Sequence, residues 1–222
     1  MSTPRRDFLG WLGASALLGA TASPLSANTP ESRLPRALDS KFDMSWTDRV
    51  TGKYRAVFDS PAVSEGAALF RAVMWQDQHK EVYGTEPKEM TAVVVFRHEA
   101  IPLVMSDAYW EQFEVGKENK LKDSKGKKWT KVNPIRAPAP DTPPKWAKYT
   151  IENFIASGGI VLACNLAFGQ VVSNYAKAEK VKGEEARKLA LAQLLPGVIL
   201  QPSGIFAGLR AQEAGCNYII AS

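Results

Sequence analysis

From Thr91 to Phe96 the chain runs Thr-Ala-Val-Val-Val-Phe, with no polar residue interrupting the β-branched stretch. A half-solvated strand would alternate polar and apolar positions. A run of strand length without alternation is expected in a parallel sheet covered on both faces. Ile160 to Ala163 and Val198 to Leu200 repeat the pattern in shorter form, and Tyr54–Phe58 and Cys216–Ile220 add two further predicted strands. Helical patterns separate them. Ala67, Ala68, Phe70, Val73, Met74 and Trp75 fit one face of a helix from Ser64 to the Tyr83-Gly84 stop. Other helices are predicted around Ser106–Val115, with Ser106 or Asp107 as cap, over Lys145–Ala156, after Asn165, over Glu184–Leu195, and after Pro202-Ser203-Gly204. Strands alternating with helices predict an α/β fold: a three-layer α/β/α domain with a mostly parallel five-stranded sheet.

The remaining chain is divided by composition. Residues 1–27 carry Arg5-Arg6-Asp7-Phe8-Leu9 followed by a mild Gly- and Ala-rich apolar segment. This resembles a twin-arginine export signal, cleaved after Ala22 or Ala27, although Pro4 and Gly10 depart from the usual residues there. The apolar segment is too short for a membrane span of about 20 residues. An uncleaved anchor or a general secretory signal is the alternative. The address expected is periplasmic, with no membrane span after signal removal. Residues 28–52 read as a polar leader over the surface, and 53–222 as the domain.

An insertion interrupts that domain at about 117–146. Lys117–Lys131 holds seven lysines and two acidic residues, and Val132–Trp146 holds five prolines. It is either an anion-attracting flap over a site or, as charge runs usually are, a solvated loop. These lysines dominate the net charge of +5. With no zinc-finger spacing, RNP-like pattern or basic stripe interleaved with aromatics, the charge does not point to nucleic acid.

The chemistry gathers where strands end, since ligands of open parallel sheets sit beyond the carboxyl ends of the strands. Those ends hold Asp59 and Ser60, then Arg97 and His98, then Cys164 and Asn165, then Gln201 and Ser203. Cys164 stands where a strand gives way to a helix. Backbone N–H groups and the helix dipole there favour a thiolate, and a cation such as Arg97 or His98 beside it favours one further. The alternative is a small buried hydrophobe. Asn165 is predicted to cap the helix that follows, and Ser203 and Gly204 open another, a seat for an anionic group.

Other chemistries find less support. His98, Met105 and Cys164 would suit copper, but they share no spacing motif, so no metal site is expected. His79 reads as a surface residue, and Glu184-Glu185 as a solvated face. No Ser-His-Asp order, nucleotide-binding glycine loop or HExxH is present. A Cys164–Cys216 disulfide is disfavoured. In a parallel sheet the two residues would lie at opposite strand ends, about 13 Å apart for four residues, against the 7 Å limit between Cα atoms.

The C-terminal third carries a specific order: Ala163-Cys164, then Pro196-Gly197-Val198, then Pro202-Ser203-Gly204, then Gln212-Glu213-Ala214-Gly215-Cys216-Asn217-Tyr218-Ile219. This resembles the DsrE/DsrF-like family, best over Gly158–Ile220, more loosely over Tyr54–Phe96, and not over Arg97–Trp146. The resemblance implies a compact α/β/α domain forming homotrimers or hexamers. In its sulfur-relay members it also implies a cysteine at Cys164 that carries persulfide sulfur between partner proteins. No cofactor is expected. Two functions are therefore expected. One is an exported, sulfur-handling protein with Cys164 as carrier and Arg97, His98, Asn165, Ser203 and Gly204 as its ligand-binding setting. The other is a non-enzymatic ligand-binding or assembly module of the cell envelope in which Cys164 only packs.

Overall fold

A computed structural model describes residues 41–136 and 147–222. The export signal, most of the leader and the Pro-rich half of the insertion lie outside the described residues. The protein builds a five-stranded parallel sheet from β1 (Tyr54–Ser60), β2 (Met90–Phe96), β3 (Ile160–Cys164), β4 (Ile199–Gln201) and β5 (Asn217–Ile220), in the order β4-β3-β2-β1-β5. Helices cover both faces, giving the three-layer α/β/α fold expected from the unbroken apolar runs.

Side-chain alternation sorts those runs between two cores. Ala92, Val94, Phe96, Val161 and Ala163 point to one face, where they meet α1 (Ala67–Tyr83), α4 (Ile151–Ala156) and α5 (Asn165–Glu179). Val93, Val95, Ile160 and Leu162 point to the other, against Ala207 and Ala211 of α7 (Gly204–Glu213). Every residue of β2 and β3 is buried, which is why neither strand shows polar alternation.

Among the described residues, connections between the first four strands run over the first face and include α2 (Asp107–Gln112), α3 (Val115–Glu118) and α6 (Gly183–Ala192), whereas α7 crosses the second face to reach β5. The adjacent strands β3 and β4 therefore send their helices, α5 and α7, to opposite sides. That divergence opens a crevice at their carboxyl ends, the usual ligand position in such sheets.

Two segments depart from the sequence expectation. The end of the leader is not a surface strap: Trp46 is fully buried in the second core, the Arg49 guanidinium donates to the Gly159 carbonyl (3.2 Å), and Gly52 N–H donates to Thr91 Oγ1 (2.9 Å). A single buried aromatic in a polar stretch carries no periodicity, so the pattern alone does not reveal it. Of the helix predicted over Lys145–Ala156, Lys145 and Trp146 lie outside the described residues, and Ile151–Ala156 is helical, with the Thr150 hydroxyl accepting from Asn153 N–H. The described half of the insertion is anchored rather than loose, with Asn133 and Ile135 at 3% exposure each. The Asn133 side-chain amide donates to the carbonyls of Leu103 (2.7 Å) and Met105 (2.8 Å).

Candidate functional site

A cleft of about 1030 Å³ lies over the carboxyl ends of β2, β3 and β4. One end is formed by Arg97, His98, Cys164, Ser203 and Gly204, and the other by Tyr109, Phe113, Val115, Glu118 and Asn174. The sheet topology explains the first group. Arg97 and His98 follow β2, Cys164 ends β3, and Ser203 and Gly204 follow β4, so residues far apart in sequence meet at one edge.

Cys164 is the N-cap of α5. Its backbone is extended, and its Sγ accepts the Ala167 N–H at 3.4 Å. The thiol thus occupies the place where a serine or aspartate oxygen usually satisfies a helix-start amide. The side chain is 6% exposed, and that edge opens into the cleft. Asn165, expected as the cap, is instead the first helical residue. Its Oδ1 accepts from Arg187 Nη2 at 2.7 Å, and it does not line the cleft. Five of the six sequence-predicted site residues are gathered there and Asn165 is not. The spacing could not separate the two, because Asn is a favoured cap and Cys is not.

Ser203 caps α7, its Oγ accepting Phe206 N–H at 3.0 Å. Gly204 is needed for contact rather than for conformation. A β-carbon there would lie 2.4 Å from Arg97 Cβ and 2.6 Å from Arg97 Cδ. Arg97 thus lies flat across the start of α7 and fixes the distance between that helix and β2.

The Arg97 charge is already matched. Its Nε donates to Asp59 Oδ1 (2.8 Å) and its Nη2 to Asp59 Oδ2 (2.8 Å), while the Tyr218 hydroxyl donates to the same carboxylate. Asp59 is the penultimate residue of β1 and is 3% exposed. These bonds to Asp59 raise the guanidinium further above its ordinary value, against the opposing effect of burial. The remaining acidic and basic lining consists of Glu99, Glu118 and the exposed His98, so side-chain charge does not make the cleft an anion trap. What favours negative charge there is the paired starts of α5 and α7. Neither Asp59 as the partner of Arg97 nor Tyr218 was visible in sequence, since nothing in the spacing reports that β1 and β5 are neighbours.

His98 has a left-handed backbone, φ 52°, uncommon for a non-glycine residue, and it turns the chain sharply out of β2 into the segment His98–Val104. Met105, the sulfur ligand of the copper set, is fully buried and does not line the cleft. Among the described residues no three His, Cys, Asp or Glu side chains are grouped to hold a metal ion.

At the other end Tyr109 and Phe113 pack at 4.8 Å between ring centroids, and Tyr175 closes on Phe113 edge-on at 5.0 Å. Asn174 Nδ2 donates to the Tyr109 hydroxyl oxygen at 3.0 Å, and Gln170 Nε2 donates to Asn174 Oδ1 at 3.0 Å. Burial pushes the Tyr109 hydroxyl up to about 12, so it stays protonated at neutral pH. This end presents an aromatic wall with an amide-and-hydroxyl edge.

Both cysteines are free thiols. Cys216 precedes β5 at the amino edge of the sheet, while Cys164 ends β3 at the carboxyl edge. Among the described residues no helix is long and apolar enough to cross a membrane. A scan against protein-family models finds no match to this chain, and a search of curated proteins finds no significant one.

Proposed function

We propose that this is an exported, DsrE-like protein that carries sulfur on Cys164. The observation that carries this reading is the thiol's place: it caps α5 through the Ala167 N–H at one end of a cleft between two helix starts. The Cys164 thiolate attacks the outer sulfur of a donor persulfide. The new Sγ–S bond forms, the donor's S–S bond breaks, and the donor leaves as a thiolate. A second thiolate then takes the outer sulfur from Cys164 and regenerates it. The starts of α5 and α7 favour the negative charge of the bound persulfide. The order Ala-Cys, Pro-Gly-Val, Pro-Ser-Gly and Gly-x-x-Tyr-Ile supports the same reading, and the arginine pair near the N-terminus supports a periplasmic address.

Mass spectrometry after exposure to a low-molecular-weight persulfide tests it. One added sulfur on Cys164, removed by a thiol acceptor and absent in Cys164→Ala, is the expected result. An unmodified Cys164 in the folded protein overturns it.

A second reading is an assembly module in which Cys164 only packs. The observation favouring it is the edge strand β5, whose Tyr218, Ile219 and Ile220 are all exposed, beside Ile205 and Leu209 of α7, 68% and 55% exposed. An apolar edge that pairs with no further strand among the described residues is a template for another chain. Under this reading Cys164→Ala keeps both the native mass and any ligand affinity of the parent.

A further inference from the structure

The lysines of the insertion stand on an ordered β-hairpin rather than a solvated tangle. Lys122 and Trp129 face each other across an antiparallel bridge, Thr130 N–H donates to the Leu121 carbonyl (3.0 Å), and Asp123 N–H donates to the Lys128 carbonyl (2.8 Å). The turn is closed by Gly126 N–H to the Asp123 carbonyl (2.8 Å), with Gly126 at φ +68°, and by Lys127 N–H to Asp123 Oδ1 (2.9 Å). The stem is pinned at its base. Leu121 N–H donates to the Gly116 carbonyl at 2.8 Å, and a β-carbon at Gly116 would sit 2.1 Å from the Thr130 carbonyl oxygen.

The carboxylates nearby are already used. Glu114 pairs with Lys117 and Glu111 with Lys131, both near the stem. The Asp123 carboxylate accepts backbone N–H groups of its own turn. Lys120, Lys125, Lys127 and Lys128 are exposed and form no ion pair among the described residues. Lys122 lies 3.2 Å over the ring of Trp129, which is 39% exposed, and Val132 beyond it is 53% exposed. A tip with Lys125, Lys127 and Lys128 against the single carboxylate of Asp123 thus has an aromatic and an aliphatic side chain at its flank.

We propose that this hairpin docks the protein on an anionic phospholipid surface, with Lys125, Lys127 and Lys128 against the phosphates and Trp129 at headgroup depth. Charge complementarity selects the occupant. A lipid surface presents many phosphates and demands no shape match, whereas a protein partner of ordinary interface size covers about 800 Å² of each side. Aromatic residues favour the bilayer interface. The inference concerns a surface distinct from the Cys164 chemistry, so neither depends on the other.

The test is sedimentation of the full chain with vesicles of phosphatidylcholine alone or of equimolar phosphatidylcholine and phosphatidylglycerol, at low and at physiological salt. The comparison is with the triple variant Lys125→Gln, Lys127→Gln, Lys128→Gln. Each lysine near such a surface contributes about fivefold in partitioning. The expected result is salt-sensitive binding to the phosphatidylglycerol vesicles that falls about a hundredfold in the triple variant. Binding indifferent to phosphatidylglycerol, or undiminished in the triple variant, overturns the proposal. So does an absence of binding, which would leave an acidic protein surface as the hairpin's counterpart. Because these side chains are exposed and form no ion pair among the described residues, the variant is expected to melt with the parent.

Discussion

Asp59 and Arg97 meet side-on at the ends of neighbouring strands, and the two partners are unequally buried: the carboxylate side chain is 4% exposed and the guanidinium 26%. Losing either partner therefore has different consequences. Arg97→Ala leaves an uncompensated charge inside the protein, a change that costs about 3 kcal/mol. Asp59→Ala leaves an arginine that can swing toward water, and costs less. Urea unfolding of the two variants measures the asymmetry, and equal losses would contradict it.

Gly204 gives Arg97 its room. In Gly204→Ala the new methyl group occupies space held by Arg97 Cβ and Cδ, 2.4 and 2.6 Å away. Either α7 backs away from β2 or the arginine leaves Asp59. A destabilisation of about 1–3 kcal/mol follows from such overpacking. A melting point unchanged from the parent would show that the contact is not tight.

The two thiols are expected to label in sequence. Burial pushes the Cys216 thiol up to about 11, and it sits under the amino edge of the sheet. Cys164 borders the cleft. Iodoacetamide at mildly alkaline pH should modify Cys164 in the native protein and reach Cys216 only after unfolding. Peptide mapping reads the order, and prior labelling of Cys216 would refute it.

Alkaline pH should weaken the fold. Tyr109 moves from an ordinary 10.0 to about 12 on folding, and Cys216 from 9.0 to about 11, both chiefly through burial. The folded state then binds more protons than the unfolded one between pH 9 and 12. The stability these groups contribute is complete below their unfolded values and is lost as pH rises through the folded ones. For Tyr109 the loss is about 2–3 kcal/mol. Urea midpoints across that range should decline in the parent and decline less in Tyr109→Phe.

Asn133 holds the middle of the insertion to the core. Asn133→Ala removes donors from two carbonyls, those of Leu103 and Met105, and the acceptor for Ile135 N–H. Buried carbonyls left without donors make this cost about 2–3 kcal/mol. Chemical denaturation of the variant supplies the number, and a loss within error of zero would place Asn133 outside the folding core.

The layered fold was legible because β2 and β3 announce themselves: an unalternated Val-Val-Val has few other uses. Ser106 and Ser203 were legible as caps for the same local reason, and both accept the expected helix-start N–H. The failures share a cause. Asn165 is not the cap because the helix begins at Asn165 itself, so the last strand residue, Cys164, doubles as its cap. Arg97 reads as a free cation in sequence because its partner comes from β1, 38 positions earlier. Lys122 opposite Trp129 reads as charge noise until the backbone pairs them. Local pattern fixes the elements, whereas the partners of charged side chains depend on strand order, which no window of sequence contains.

The departure of α5 and α7 toward opposite faces of the sheet has an evolutionary consequence. The two lips of the crevice are rooted in separate hydrophobic layers that meet only through β-strand backbones. Leu166 on one lip and Ile205 on the other, 73% and 68% exposed, can drift without either layer repacking the other. Such a molecule can exchange what it grips while the sulfhydryl beneath stays where it is.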